Sequence, residues 1–68
     1  MRRNRIWLRD IRVEVGFTQA EVAVAIGISQ PTYSHFESGI RRPSPETAQK
    51  IGNLLKFDWT MFFPTTEN

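Results

Sequence analysis

The chain has 68 residues, 40% of them apolar, a net charge of +2 and no cysteine. That leaves room for one small domain spanning residues 1–68, and it excludes a disulfide framework, a Cys-based zinc site and thiol chemistry. A chain of this size buries only about 60% of the surface its unfolded form exposes, so stability is marginal without a staple, a metal or a partner chain.

The single histidine, His35, cannot by itself hold a metal, and no metal or cofactor is expected. The longest apolar run, Val22 to Ile26, falls far short of the roughly 20 residues that cross a bilayer. Arg9, Asp10 and Arg12 interrupt what a secretion signal would need as its apolar stretch, so a mature cytoplasmic chain without membrane contact is expected. Five arginines crowd Met1 to Arg12 against one aspartate, and a second basic pair stands at Arg41-Arg42. Two such clusters make one footprint for a polyanion if folding brings them together. Charge alone is equally satisfied by a solvated surface.

Glycines and prolines cut the chain into helix-length pieces with no strand-like alternation. From Arg5 to Val15, Leu8, Ile11 and Val15 share one helical face, and Gly16 supplies the stop. Thr18-Gln19-Ala20-Glu21 has the form of a capping box, flanked by Phe17 and Val22 at staple spacing, so a second helix starts there and ends at Gly27. Ser29 caps a third helix, which tolerates Pro31 in its first turn and stops at Gly39. After the exposed connection Arg41-Arg42-Pro43, Ser44-Pro45-Glu46 opens a fourth helix with the stripe Ala48, Ile51 and Leu55. Gly52 interrupts that helix at a cost of about 1 kcal/mol relative to alanine, for which close backbone packing is a reason. Asp58 caps a short fifth helix from Trp59 to Phe63. The expected fold is all-α, a compact five-helix bundle.

The second and third helices carry a tighter pattern. Counting from Gln19, a small residue stands four on (Ala23), a glycine eight on (Gly27), and apolar residues occupy Val22, Ile26, Ile28, Tyr33 and Phe36. Two helices crossing at ~90 to 120° through a short turn need a small side chain at the crossing, a glycine in the turn and an inward face on each helix. Residues 18–38 therefore read as a helix-turn-helix.

The surrounding residues narrow this reading. Leu8, Ile11-Arg12, Gly16-Phe17-Thr18-Gln19, Val22-Ala23, Ile26-Gly27-Ile28-Ser29-Gln30, Phe36-Glu37, Gly39 and Arg42-Pro43-Ser44 together resemble the Cro and lambda-repressor (XRE-type) DNA-binding domains over residues 5–63. The resemblance implies a third helix lying in the DNA major groove. It implies Gln19 as a phosphate contact, Gln30 as the base-reading residue at the head of the recognition helix, and Pro31, Ser34 and His35 at the other outward positions. Ser29, Thr32, Arg41 and Arg42 resemble backbone or loop contacts. It further implies that Arg12 and Glu37 form a partly buried structural ion pair, whose breaking costs ~3 to 5 kcal/mol if burial is deep.

Residue chemistry supports these roles independently. A glutamine amide matches the N6 and N7 edge of adenine in a bidentate pair, worth ~1 to 3 kcal/mol of discrimination. Helix N-termini at Gln19 and Gln30 offer unpaired amides to phosphate oxygens. Outside this motif both glutamines would pass as ordinary soluble residues, and His35 fits either DNA contact or simple cover for the third helix. No paired acids, metal cluster or activated nucleophile is visible, so an enzyme is not expected.

Three features depart from the family pattern. Ser29 to Ser38 contains no Lys or Arg, which assigns phosphate neutralisation to Arg41 and Arg42, with help from Arg2, Arg3, Arg5 and Arg9. Tyr33 is larger than the aliphatic residue common at its position, and Lys56 stands where glycine often ends the fourth helix. Phe57, Trp59, Met61, Phe62 and Phe63 put five large apolar groups in seven residues, more than one face can bury. Some of them fill the bundle core, the default role for Phe57, Phe62 and Trp59, and the excess points to a twofold homodimer, expected to form through Trp59, Met61, Phe62 and Phe63 and to present two recognition helices ~34 Å apart.

The expected function is a double-stranded DNA-binding regulator, prokaryotic or phage-encoded, that represses by occupying a promoter at a palindromic operator. The competing reading is a protein-binding module, an antitoxin or adaptor with a protein partner, because the third helix is poor in positive charge.

Overall fold

A computed structural model describes residues 4–63. The helices are α1 (Ile6–Val15), α2 (Gln19–Ile26), α3 (Gln30–Ser38) and α4 (Pro45–Leu55), followed by a 3-10 helix, Trp59–Phe62. No strand occurs among the described residues. The expected fifth helix is thus a single tight turn, leaving four α-helices among the described residues. Asp58 does cap it, with Oδ1 accepting from Thr60 N at 3.0 Å, but four residues give too few i to i−4 bonds to sustain an α-helix.

Side-chain caps set the other starts. Thr18 and Glu21 make both halves of a capping box, the Thr18 hydroxyl accepting from Glu21 N at 3.1 Å and the Glu21 carboxylate accepting from Thr18 N at 2.8 Å. Ser29 and Ser44 accept from Thr32 N and Thr47 N. Gly27, with φ +80, makes the turn between α2 and α3, a left-handed conformation that glycine adopts without penalty.

The core gathers Leu8 from α1, Val22 and Ala23 from α2, Tyr33 and Phe36 from α3, Ala48, Ile51 and Leu55 from α4, and Phe62. Ala23 is the small residue where α2 meets its neighbours. On α1 the inward face is Trp7, Leu8 and Ile11, while Val15, expected on that face, is exposed. Trp7 packs edge-on against Phe57 at 5.4 Å between ring centroids and, tilted, against Phe62 at 5.3 Å.

Gly52 lies buried in α4 where the chain folds back onto it. A Cβ there would stand 2.9 Å from both Phe57 O and Trp59 Cβ, so the glycine is what lets the C-terminal turn close on α4. Lys56 ends α4 in the left-handed region at φ +65, a position where a side chain is strained.

Candidate nucleic-acid interface

Burial divides α3 into two faces. Tyr33, Phe36 and Glu37 point into the domain, while Gln30 and Pro31 are exposed and Thr32, Ser34 and His35 are half-buried. Of the outward positions anticipated from the sequence, Gln30 and Pro31 face solvent at the head of α3, Ser34 lines the cleft against α1, and His35 is half-buried with its Nδ1 enclosed and without a hydrogen-bond partner. Ser29 and Thr32 stand at the head of this helix with their hydroxyls 2.7 Å apart, so each is already engaged in the cap.

Glu37 organises the inner side. Arg12 Nε donates to Glu37 Oε2 at 2.5 Å and Arg12 Nη2 to Oε1 at 3.3 Å, with both side chains largely buried. Arg12 Nη1 also donates to Phe17 O at 2.8 Å, tying the guanidinium to the segment that leads into α2. Gln19 Nε2 completes the cluster, donating to Glu37 Oε1 at 2.9 Å.

Burial alone would raise the Glu37 pKa. Hydrogen bonds from Arg12 and Gln19, the neighbouring Tyr33 hydroxyl and the Arg12 charge outweigh it and hold the carboxyl below its ordinary range. Arg12 is held above its usual value by its hydrogen bond to Glu37. Burial, with the Glu37 carboxylate beside it, pushes the Tyr33 phenol far up; its hydroxyl lies next to the pair without a partner in hydrogen-bond geometry.

Gln19 is half-buried at the first position of α2. It lines, with Asn4, Arg9, Ser34 and Glu37, an open cleft of about 210 Å³ between α1 and α3. The cleft thus joins two residues anticipated as DNA contacts, Gln19 and Ser34, to an exposed arginine of α1.

The two basic clusters meet through Arg5. Its Nη1 donates to Phe36 O at 2.7 Å and to Arg41 O at 2.8 Å, and its backbone N–H donates to Glu37 O at 2.7 Å. Burial, and then the Arg42 charge, act against its own charge. Arg5, anticipated as a phosphate-neutralising residue, is therefore engaged as a clamp on the end of α3. Arg41 and Arg42 remain exposed in the loop before α4, Arg42 lying over the Phe63 ring at 5.2 Å. Arg9 is exposed, and Arg2 and Arg3 lie outside the described residues.

Among the residues expected at a dimer surface, Phe62 is corrected. It is 1% exposed within this one chain, enclosed by Trp7 and Phe57 and lying under the Arg5 guanidinium. Met61 is exposed, and Trp59 and Phe63 are half-buried against each other.

Sequence reasoning missed Trp7 as a core residue, the hold of Arg5 on the end of α3 and the Gln19 to Glu37 bond. Trp7 had a signal, since it stands four residues before Ile11 on the same helical face. Arg5 and Gln19 had none, because their partners are backbone carbonyls and a carboxylate brought near only by tertiary packing.

A capped α2, a glycine turn and an α3 that keeps one polar face outward define a helix-turn-helix, the reading head of a DNA-binding regulator. Residues 8–62 match the helix-turn-helix family, and the chain belongs to it as a member of the Cro and lambda-repressor, or XRE, type, whose proteins are DNA-binding transcriptional regulators and not a class of enzyme. It is 51% identical over 59 residues to the uncharacterized HTH-type transcriptional regulator YqaF of Bacillus subtilis, covering 87% of this chain and 78% of that protein. Over 47 residues it is 43% identical to the cryptic phage CTXphi transcriptional repressor RstR of Vibrio cholerae, a match that covers 69% of this chain but only 42% of that repressor. Among solved structures, the restriction-modification controller protein C.AhdI from Aeromonas hydrophila aligns with a TM-score of 0.71 at 25% identity, over 82% of this chain and 81% of that one. No helix among the described residues is long and apolar enough to cross a membrane.

Proposed function

We propose that the chain acts as a single helix-turn-helix domain that binds a palindromic operator in double-stranded DNA as a homodimer, and represses by occupying a promoter in the cytoplasm. The observation that carries this reading is the face of α3: Gln30 and Pro31 are exposed and Ser34 opens onto the neighbouring cleft, on a helix anchored by Tyr33, Phe36 and Glu37. In this reading Gln30 pairs with adenine through its amide. Gln19, Ser29, Thr32, His35, Arg41 and Arg42 hold the backbone and set the register. The similarity to a phage repressor supports repression over activation. Met61, 44% exposed, with the outer edges of Trp59 and Phe63, supplies the dimer surface.

Selection of bound duplexes from a random pool tests the reading. A defined palindrome is expected, with Gln30→Ala relaxing preference at one base pair in each half. Selection that enriches nothing overturns it. Sedimentation showing a monomer at concentrations that saturate the selected duplex overturns the dimer.

One observation favours the second reading, a protein-binding module. Val24 is 80% exposed on α2 and shares an apolar concavity with Ala20 and Ala25, a surface of the kind that marks protein contacts. A stable one-to-one complex with a neighbouring gene product, together with duplex binding indifferent to salt, would decide for the module.

A further inference from the structure

We propose that Glu37 is a positioning residue for DNA contact: its carboxylate fixes the Gln19 amide at the cleft between α1 and α3, so that the amide's second N–H is held ready for a backbone phosphate. This rests on the DNA-binding reading given above and adds to it a role for a residue that touches no DNA.

The argument begins with hydrogen-bond chemistry. A free glutamine amide can present either its NH2 or its carbonyl oxygen in a given direction, and only the NH2 end suits a phosphate. An ionised carboxylate accepts and never donates. With Gln19 Nε2 2.9 Å from Glu37 Oε1, the NH2 end must face Glu37, and its second N–H is directed away from the carboxylate. One contact therefore settles both the rotamer and the flip of the amide.

The carboxylate is itself immobile. Arg12 holds both of its oxygens, both partners are largely buried, and Arg12 reaches on to Phe17 O beside the start of α2. Three helices thereby meet at one acid. Arg12 balances the Glu37 charge locally, so an anion approaching Gln19 meets a neutral pair rather than a bare carboxylate. Arg9, exposed and 3.9 Å from Asp10, and Ser34 line the same cleft and add a guanidinium and a hydroxyl to its rim.

Holding a long side chain in its binding geometry removes an ordering cost from association. Freeing the Gln19 amide is accordingly expected to weaken backbone binding by about three- to tenfold. Phosphate contacts do not depend on sequence, so a labelled mixed-sequence duplex of about two helical turns is a sufficient probe.

The test is a double-mutant cycle with wild type, Gln19→Ala, Glu37→Gln and the double variant, each assayed at a temperature where circular dichroism shows it folded. Removing the Glu37 charge has its own effect on phosphate attraction, and the Gln19→Ala background reads that effect alone. The loss caused by Glu37→Gln is expected to be three- to tenfold greater when Gln19 is present than when it is alanine. Equal effects in the two backgrounds overturn the positioning role and leave the DNA-binding reading standing. Absence of salt-dependent duplex binding by wild type overturns the reading, and the inference falls with it.

A second measurement needs no variant and no DNA. In the wild-type protein, NMR is expected to show the Gln19 side-chain amide protons protected from exchange and confined to one rotamer, unlike those of exposed Gln49. Matching behaviour of the two amides overturns the proposal even if Glu37→Gln fails to fold.

Discussion

Arg12 Nε and Glu37 Oε2 lie 2.5 Å apart, and this contact, with the second one from Nη2, fastens the last turn of α1 to the last turn of α3. Breaking a buried pair strands a charge at a cost of about 3 to 5 kcal/mol, whereas replacing both members by apolar residues of similar size is often neutral. A domain of this length has a total stability on the order of 3 to 10 kcal/mol, so either loss consumes much of it. Arg12→Met and Glu37→Leu are each expected to lose about 3 kcal/mol or more in urea unfolding, with the double variant recovering most of it. Additive losses in the double variant would show that the two side chains act independently.

The same pair sets the acid limit of the fold. Glu37 titrates below its ordinary value of 4.5 in the folded chain, because hydrogen bonds and the Arg12 charge overcome its burial. A carboxyl with a depressed folded pKa contributes stability that is complete above the unfolded value and is lost as pH falls through the folded one. The melting temperature is therefore expected to hold steady from neutrality to about pH 5 and then to fall as the medium is acidified further. In the Arg12→Met, Glu37→Leu variant this acid limb is expected to flatten, which thermal melts across the pH range would check.

Gly52 carries a prediction of unusual sign. In an open helix, glycine to alanine gains about 1 kcal/mol. Here the new methyl group would meet the Phe57 carbonyl oxygen and Trp59 Cβ, each at 2.9 Å, and overpacking of this kind costs about 1 to 3 kcal/mol. Because the Phe57 oxygen is backbone, it yields only if the C-terminal turn lifts from α4. Gly52→Ala is expected to lower stability by about 1 to 2 kcal/mol, with increased solvent quenching of Trp59 fluorescence. A rise in melting temperature would refute the close approach.

These cases mark what could be read along the chain. Caps at Thr18, Ser29 and Ser44 and stops at Gly16, Gly27 and Gly39 are local chemistry, and they placed four helices to within a residue or two. The stripe on α4 and the demand for closeness at Gly52 were legible for the same reason. The fate of the C-terminal aromatics was not. Whether Phe62 faces inward depends on space left by Trp7 and Phe57, and composition could only count the rings. Arg5 looked like a member of a basic cluster, yet its partners are the carbonyls of Phe36 and Arg41, whose positions depend on how α3 ends. The left-handed Lys56 is a local departure that the fold tolerates where α4 turns toward Phe57.

The distribution of arginines makes a final prediction about salt. With no Lys or Arg between Ser29 and Ser38 and Arg5 engaged with carbonyls, phosphate neutralisation is expected to fall chiefly to the exposed loop residues Arg41 and Arg42. Each phosphate neutralised on duplex DNA contributes about −0.9 to the slope of log affinity against log salt. Arg41→Ala, Arg42→Ala is therefore expected to reduce the slope by roughly 2 and to weaken binding to matched and mismatched duplexes alike. Gln30→Ala is expected to leave the slope unchanged while narrowing the gap between those duplexes by about 1 to 3 kcal/mol. Arg42 also covers the Phe63 ring, so its truncation removes a packing contact, and the slope is the safer readout than affinity alone. An unchanged slope in the double arginine variant would place the neutralising charge elsewhere, with Arg9 the exposed candidate on α1.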